Sequence, residues 1–339
     1  MNKLGERHLA LAVTALLLGG CGTAPGPVSG RFRERSAVAQ ASQVATSSAE
    51  QVIASPTPPV PSVVPATSQA APTPRLIAKP GPDNTGVPPG VTLRVVTGDQ
   101  VYTTENQVID GLDIRGYVRI RARNVTIKNS IVRGGAPKCN AAVVFVEGGQ
   151  SATIQDSEIS PSQPNACLDG IWATNATLLR LDIHHVVDGV KAFDNVKLRE
   201  SYIHDLSWFA SDPNQGGGAT HNDTVQTYQG NRNVFIVQNT LLAGTQGNAT
   251  YQVTQDGGRA STNLRIEKNW LDGGGCTLNF SHKGGPVPMT GIYVIGNRFG
   301  RGSKFRCPIL ISTQTVLTQN TGNVWDDTGA PIPPPQQHD

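Results

Sequence analysis

The chain has 339 residues, a formal net charge of +3, 37 glycines and 24 prolines, with 5% aromatic and 16% charged residues. Helix-forming residues and helix-period charge patterns are too scarce to cover a sheet, which excludes a helical bundle and a doubly wound α/β fold. The small, dispersed net charge also excludes a nucleic-acid partner, because such proteins concentrate Lys and Arg on one face. The composition therefore predicts an all-β protein.

The N-terminus has the pattern of an export signal. Two basic residues precede an apolar run, residues 9–18, that is too short to span a bilayer. The run ends in Leu-Gly-Gly-Cys at residues 18–21, which resembles the lipobox of bacterial lipoproteins. We therefore expect residues 1–21 to be a lipoprotein signal peptide and Cys21 to carry a lipid at the outer face of the cell membrane or cell wall. The alternative is an ordinary cleaved signal, which would release the chain extracellularly.

A linker and a tail flank the predicted domain. Residues 22–85 are rich in Ala, Ser, Thr and Pro and cannot bury a core, so they are predicted to be a disordered linker. Residues 86–326 form one exported domain, and residues 327–339 form a flexible C-terminal tail. Because no other stretch approaches transmembrane length, contact with the membrane is expected only through the lipid anchor.

A short motif recurs seven times through the domain. Its apolar anchors are separated by 20 to 38 residues, and they are Ile127, Ile154, Leu178, Leu198, Ile236, Ile266 and Val294. Such a period with short alternating strands is typical of a β-solenoid, in which each coil stacks on the last and all share one apolar interior. One polar register accompanies the anchors, at Ser130, Ser157, Ser201, Asn239, Asn269 and Asn297. We predict that these residues form a structural hydrogen-bonded ladder at a bend, with steps of about 4.8 Å.

The repeat resembles that of the right-handed parallel β-helix proteins of the pectate-lyase-like superfamily, and in particular the β-helix repeat proteins secreted by actinobacteria. Residues 82–93, PDNTGVPPGVTL, are similar to the opening of that second group. The resemblance covers residues 86–324 and implies an all-β, right-handed, single-stranded parallel β-helix of about seven to nine coils. It implies no single activity, because this architecture hosts lyases, hydrolases, epimerases and passive surface proteins.

Four cysteines lie within the predicted coils. Cys276 and Cys307 both stand just before the second strand of a coil, one coil apart, and Cys139 and Cys167 occupy nearly equivalent places earlier. Neighbouring coils lie about 4.8 Å apart, which is within the Cα separation that a disulfide tolerates. We predict the disulfides Cys139–Cys167 and Cys276–Cys307. The alternative is a metal site, but no close Cys pair or Cys/His cluster supports it.

The second strand of each coil is predicted to present a mixed column outward. It comprises Phe145, Trp172, Lys191, Gln226, Gln252, Asn279 and Leu310, with Tyr228 in the next column. Amides bind sugar hydroxyls and aromatic rings stack on the apolar faces of sugars, so the column predicts a polysaccharide site. The predicted contacts are Trp172, Gln226, Tyr228, Gln252 and Asn279, with His185 and Lys283 near the strand ends. The alternative is a solvated sheet face without a ligand.

A long excursion, residues 207–220, interrupts the regular spacing of the coils and is followed by His221, Asp223 and Gln226. Loops inserted into a solenoid tend to flank its binding face, and a glycine-rich tip can move as a lid. The sequence His-x-Asp-x-x-Gln therefore predicts an imidazole, a carboxylate and an amide at the floor of a groove.

Other polar residues near the strands have simpler alternatives. Asp169 and Asp188 precede their strands within Asp-Gly pairs, where an aspartate often bonds its own backbone in a turn. His184 and His204 align one coil apart beside the first strand, and we expect each to be a surface residue.

Two reactions fit these residues. In β-elimination of a uronic-acid polymer, Lys191, His221 or Lys283 is the base, and Asp188 and Asp223 are candidate Ca²⁺ ligands. In hydrolysis, Asp188 and Asp223 would lie about 5 Å apart, which is the retaining geometry. The motif sets of polygalacturonases and pectate lyases are absent, so neither activity is carried over by residue. We expect a monomeric polysaccharide lyase, with a glycoside hydrolase or a non-catalytic glycan-binding or structural protein as alternatives.

Overall fold

The computed structural model describes residues 78–256 and 259–338. The predicted signal peptide, Cys21 and residues 22–77 of the predicted linker lie outside the described residues. Within the described ranges, one 3-10 helix spans Pro213–Gln215 and the remaining regular structure is β-strand. No helix there has the length and hydrophobicity that crossing a bilayer requires.

The strands of the described residues form three parallel sheets with ten, ten and nine strands. Sheet 1 contains β1 (Arg94–Thr97), β4 (Leu112–Arg115), β7 (Ile131–Val132), β10 (Glu158–Ile159), β13 (Asp182–Ile183), β16 (Tyr202–Ile203), β19 (Thr240–Gly244), β22 (Trp270–Gly273), β25 (Arg298–Phe299) and β28 (Val324–Trp325). Sheet 2 contains β2 (Gln100–Tyr102), β5 (Val118–Ile120), β8 (Ala141–Val146), β11 (Leu168–Ala173), β14 (Val190–Ala192), β17 (Asp223–Tyr228), β20 (Ala249–Gln255), β23 (Cys276–His282), β26 (Cys307–Ser312) and β29 (Gln336–His338). Sheet 3 contains β3 (Val108–Asp110), β6 (Val125–Lys128), β9 (Ala152–Gln155), β12 (Ala176–Leu179), β15 (Val196–Arg199), β18 (Arg232–Val237), β21 (Thr262–Glu267), β24 (Met289–Ile295) and β27 (Thr315–Thr321).

Each coil passes through the three sheets in turn, and each strand pairs in parallel with its counterpart in the next coil. This arrangement confirms the predicted right-handed parallel β-helix. The repeated motif covers two strands of a coil, one in sheet 3 and one in sheet 1. Its seven apolar anchors are buried in the common interior, and they are Ile127, Ile154, Leu178, Leu198, Ile236, Ile266 and Val294.

The bend between sheet 3 and sheet 1 has a fixed backbone geometry. The residue before each ladder position has a positive φ, from 49° at Asn129 to 64° at Gly296. Asn and Gly adopt this left-handed conformation most readily, but from residue 129 to residue 296 only Asn129 and Gly296 use them here. The other positions in that range hold Asp156, Arg180, Glu200, Gln238 and Lys268. In the first half of the ladder, the Ser157 hydroxyl accepts a hydrogen bond from the Ser130 backbone N–H at 3.1 Å. Leu181 occupies one ladder position, so the polar register is interrupted there.

The second half of the ladder consists of buried asparagines bonded side chain to side chain. The Nδ2 of Asn239 donates to the Oδ1 of Asn269 at 3.0 Å, and that of Asn269 donates to Asn297 at 2.9 Å. The series continues to Asn323 at 2.9 Å, one step beyond the predicted set. The ladder is therefore confirmed as a structural feature of the bend.

Coils extend beyond both ends of the recognised repeat. Strands β1 to β5 add coils before the first motif, and β29 adds a last strand to sheet 2. Two sheets consequently have ten strands and the third has nine, so nine coils are complete, within the predicted seven to nine, and a partial coil follows them. Residues 336–338, which were predicted to belong to a flexible tail, form β29. They pair with Leu310, Ile311 and Ser312 of β26. The segment before this strand, residues 331–335, is rich in proline, which is rare within strands, so the sequence pattern does not indicate β29.

Two disulfides join neighbouring coils at the start of strands of sheet 2. Cys139 and Cys167 are bonded with their Cα atoms 4.5 Å apart. Cys276 and Cys307 are bonded with a Cα separation of 4.7 Å, and they are partners in the register of β23 and β26. Both predicted pairings are confirmed, because stacking places equivalent positions of successive coils within the reach of a disulfide.

Candidate functional site

The outer face of sheet 2 carries the predicted mixed column. Register partners follow one another along the sheet in the order Arg119, Phe145, Trp172, Lys191, Gln226, Gln252, Asn279 and Leu310. The order is the predicted one, with Arg119 added one step earlier. The strands of sheet 2 therefore line up amide, amine and aromatic groups along the axis of the solenoid.

Three aspartates stack on successive coils beside this column. Asp169, Asp188 and Asp223 are buried. The Oδ1 of Asp169 accepts the backbone N–H of Asp188 at 3.3 Å, and the Oδ1 of Asp188 accepts the backbone N–H of Asp223 at 2.9 Å. Each of these two carboxyls thus bonds the next coil and not its own turn.

Glycine after the first two aspartates lets the coils approach closely. A Cβ on Gly189 would overlap the backbone oxygen of Thr224 and the side chain of Ile203, and a Cβ on Gly170 would overlap the backbone oxygen of Gly189. The Asp-Gly pairs are therefore needed for stacking at this corner. The third coil has Thr224 in the glycine position, and its hydroxyl donates to the carbonyl of Thr250.

Lys191 lies among the stacked carboxyls, and we refer to Asp169, Asp188, Asp223 and Lys191 as the Asp–Lys cluster. The Nζ of Lys191 is 2.7 Å from the Oδ2 of Asp169 and 3.3 Å from the Oδ2 of Asp188. Trp172 donates its indole N–H to the same Asp169 oxygen at 2.6 Å. The lysine ammonium and the indole are therefore held side by side at the surface of sheet 2.

Asp223 is held by amides on its other side. The Nδ2 of Asn248 donates to its Oδ1 at 3.0 Å, and the Nε2 of Gln226 donates to its Oδ2 at 3.3 Å. Asn248 also donates to the Oε1 of Gln252 at 3.2 Å. Sequence reasoning missed Asn248, although it directly precedes Ala249, the register partner of Asp223.

Burial and mutual repulsion set the protonation of the cluster. Burial raises the pKa of Asp188 to about 7, and the charge of Asp169 adds to this effect. Burial and the charge of Asp188 raise the pKa of Asp223 well above its ordinary value. Burial raises the pKa of Asp169 as well, while Lys191 and Trp172 oppose it. Burial lowers the pKa of Lys191, but the charges of Asp169 and Asp188 outweigh burial and raise it above its ordinary value. At neutral pH Lys191 is therefore a cation.

A cleft of about 90 Å³ opens over the cluster and is lined by Asp169, Asp188, Lys191, Trp172, Gln226 and His221, among others. The excursion at residues 207–220 contributes Asp212, Asn214 and Gln215 to its wall. His221 is exposed. Asp223 does not line the cleft and contacts it through Gln226. The structure thus brings three of the four predicted catalytic residues to one cleft and buries the fourth behind it.

A second cleft of about 210 Å³ shares Asn140 and Trp172 with the first. Aromatic and cationic side chains line it. The guanidinium of Arg119 lies 5.2 Å from the ring centre of Phe145, and the Nζ of Lys138 lies 4.3 Å from that of Tyr117. These cations also pair with acidic side chains, Arg119 with Glu147 and Lys138 with Asp99. Arg119 was missed because its coil lacks the recognised motif.

The remaining predicted contacts are spread more widely. Tyr228 is half-buried with its ring edge-to-face with Phe193 at 5.7 Å, and Gln252 is buried. Asn279 is half-buried, and within the described residues its Oδ1 has no hydrogen-bond partner. Lys283 is exposed just after β23, and His185 contacts His184. Neither Lys283 nor His185 is among the residues that line the two clefts.

The Asp188–Asp223 pair does not fit the expected Ca²⁺. Calcium takes six to eight oxygen ligands, whereas the oxygens of this pair are approached by hydrogen-bond donors. Lys191 and a backbone N–H bind Asp188, while Asn248 and Gln226 bind Asp223. A Ca²⁺ ion there would also lie against the Lys191 ammonium, which repels it.

A scan against protein-family models and searches of curated proteins and of solved structures found no match to this chain. The three parallel sheets confirm the parallel β-helix that the sequence resemblance implied. The pectate-lyase-like superfamily and the actinobacterial group remain predictions.

Proposed function

We propose that this protein binds an acidic polysaccharide along sheet 2 and cleaves it by β-elimination. The observation that carries the proposal is the Lys191 ammonium, held by Asp169 and Asp188 beside Trp172 at the floor of a cleft. The parallel β-helix fold, which is common in polysaccharide-active proteins, supports it as well.

The two clefts together suit a linear, negatively charged chain. They share Asn140 and Trp172, so a ligand can pass from one to the other along the sheet. Aromatic rings such as Phe145 and Trp172 stack on the apolar faces of sugars, and nearby cations attract uronate carboxylates. Arg119, Lys138 and Lys191 are the groups proposed to bind the carboxylates of an acidic glycan.

In β-elimination, a base removes the proton α to the uronate carboxylate, and a carbon–carbon double bond forms as the bond to the glycosidic oxygen breaks. That oxygen leaves as a hydroxyl, with a proton from the protonated base or from water. Because the pKa of Lys191 is raised, this lysine is protonated and cannot act as the base. Its ammonium instead stabilises the negative charge that develops on the carboxylate. The base is then His221, which is exposed at the same cleft.

The hydrolytic alternative finds less support in the geometry. A glycosidase needs a carboxyl group that contacts the glycosidic oxygen. Asp188 and Asp223, the predicted pair, are only 3% and 0% exposed. We assign them the role of positioning residues that hold Lys191 and Gln226.

Non-catalytic glycan binding is the second candidate. It is favoured by the contacts of the Asp–Lys cluster. The carboxyls of Asp169, Asp188 and Asp223 each already have a hydrogen-bond or ion-pair partner within the protein, as expected of structural residues. Retention of a glycan that survives Lys191→Met and His221→Ala, without any turnover by the unchanged protein, would support this candidate.

We also propose export with a lipid on Cys21, and a monomer anchored at the outer face of the membrane or cell wall. The signal-like N-terminus supports export, and the two disulfides are typical of an oxidising compartment. A test is whether Cys21→Ser moves the protein from the membrane fraction to the medium.

The test of activity is incubation of the protein with a panel of uronic-acid polymers, following the ultraviolet absorbance of the unsaturated product. Lys191→Met keeps the length of the side chain but removes its charge, and we expect a rate at least about 100-fold lower. His221→Ala is expected to lose a similar factor of about 100. Lys197→Ala, at an exposed lysine of sheet 3, is the matched control and is expected to keep full activity. Absence of both unsaturated product and new reducing ends across the panel would rule out the enzyme.

A further inference from the structure

A second cluster of titratable side chains lies on sheet 1, and the proposed function does not use it. Asp182, His184 and His204 each offer a ligand atom, and these atoms all lie within 4.8 Å of one another. All three side chains are half-buried. Among the described residues, this is the one group of three or more such side chains that meets this geometry.

The register of sheet 1 brings these residues together. Asp182 and His184 are two residues apart, and His204 follows β16 in the next coil. The pairing of Ile183 with Ile203 aligns the two coils. Because side chains two residues apart share a face and neighbouring strands lie about 4.8 Å apart, groups from both coils converge outside the sheet.

His204 is oriented as a metal-binding histidine would be. Its Nε2 is 2.9 Å from the Oδ1 of Asp182, and its Nδ1 is 2.8 Å from the Oδ2 of Asp205. Its ring stacks on Tyr202 at 3.9 Å and on His184 at 5.1 Å. A histidine ligand usually donates its second ring N–H to a carboxylate, which fixes the tautomer, and Asp205 meets that requirement.

His184 lies near two further side chains that can bind a metal ion, Glu158 and His185. Its Nε2 is 3.4 Å from the Oε1 of Glu158, and its Nδ1 is 2.6 Å from the Nδ1 of His185. Two imidazole nitrogens that face each other so closely require a proton or a cation near them. Three imidazoles and three carboxylates thus meet across three coils.

We propose that Asp182, His184 and His204 bind a divalent transition-metal ion of the Zn²⁺ class. Imidazole nitrogen and carboxylate oxygen are the donors that such ions prefer, and three protein ligands with one water complete a tetrahedron. Asp205 is a positioning residue that orients His204. The ion ties the β13 coil to the β16 coil and stabilises the solenoid at this point.

The test uses untagged full-length protein freed of metal with EDTA and titrated with Co²⁺, whose visible absorption reports tetrahedral nitrogen and oxygen ligation. We expect saturation at one equivalent, displacement by Zn²⁺, and a rise in the thermal midpoint when Zn²⁺ is added. Asp182→Asn and His204→Gln preserve side-chain shape and are expected to weaken binding by more than tenfold, while Asp205→Asn weakens it by about tenfold.

His221→Ala is the matched control, because His221 is exposed at the sheet 2 cleft, and it is expected to bind Co²⁺ unchanged. The proposal is overturned if the metal-free protein gives no saturable Co²⁺ spectrum, or if Asp182→Asn and His204→Gln, shown to be folded by circular dichroism, bind as well as the control. Since the measurement is metal binding, its result is independent of glycan cleavage.

Discussion

Lys191 owes its chemistry to the carboxyls around it. A lysine alone in a half-buried position would lose its proton more readily, but Asp169 and Asp188 lie 2.7 and 3.3 Å from its Nζ. They keep the side chain charged and fixed in one place, at the cost of bringing three acids close together. Burial and mutual repulsion raise the pKa values of the three carboxyls, so the charge of the cluster depends on pH.

The stability of the protein should therefore fall as pH rises toward 7. The pKa of Asp188 is about 7 in the folded chain and 3.8 for an ordinary aspartate, so the folded state binds more protons between these values. Each pH unit in this window lowers the free energy of unfolding by about 1.4 kcal/mol for one such group. Below pH 4 the contribution of this group is fully retained.

Asp188→Asn removes this titration while its amide oxygen still accepts the Asp223 N–H. Urea unfolding at about pH 5, 6 and 7 is expected to give a flatter profile for the variant than for the unchanged chain. Asp113→Asn, a substitution at a carboxyl of sheet 1, provides the comparison. Equal slopes in the unchanged chain and Asp188→Asn would show that Asp188 does not carry the effect.

At the scale of the elements, the asparagine ladder determines how sheet 3 turns into sheet 1. Asn269 accepts the backbone N–H and the side-chain amide of Asn239, and it donates to the Ile236 carbonyl and to Asn297. All these groups are buried, so none can exchange its partner for water. One side chain therefore satisfies polar groups of three successive coils.

Removal of one ladder side chain is expected to be costly. Asn269→Ala leaves buried donors and acceptors unpaired, and we expect the free energy of unfolding to fall by about 3 kcal/mol. Gln319→Ala truncates an exposed amide of β27 and is expected to change stability by less than about 0.5 kcal/mol. Denaturant unfolding of both variants measures the difference. Comparable losses would mean that the ladder has no special role.

Much of the element-scale architecture could be predicted from the sequence because a solenoid repeats. Seven buried anchors and the polar register follow from periodicity alone. Strands β1 to β5 and β29 could not be predicted, since their coils lack the motif and their pairing depends on neighbours already in place. In the site, Arg119 was missed because its strand precedes the first recognised motif, although one more register step from Phe145 would find it. Asn248 was missed because it lies just outside β20, directly before Ala249, the register partner of Asp223.

At the scale of the whole molecule, each coil packs on the next one. Each of the two disulfides covalently joins one pair of neighbouring coils. The Cys276–Cys307 bond closes a segment with a sequence separation of 31. Chain entropy predicts that replacing both cysteines with serine lowers the free energy of unfolding by about 4 kcal/mol.

The measurement is denaturant unfolding of Cys276→Ser/Cys307→Ser with and without a reducing agent. The Cys139–Cys167 bond has a separation of 28, so its double serine variant is the matched comparison and should lose a similar amount. A variant lacking the four disulfide-bonded cysteines is expected to be insensitive to the reducing agent. If the unchanged protein is as unstable as that variant, the disulfides do not stabilise the fold.

The sequence by itself determined the coil, its buried anchors, the ladder, both cysteine pairings and the order of the outward column. Each of these depends only on which positions of a regular repeat become neighbours when coils stack. Only the tertiary structure decided that Asp223 is buried, that Lys191 is trapped as a cation, and that His184 and His204 meet Asp182. Protonation and ligand geometry depend on solvent exclusion and on distances between side chains of different coils, and periodicity encodes neither.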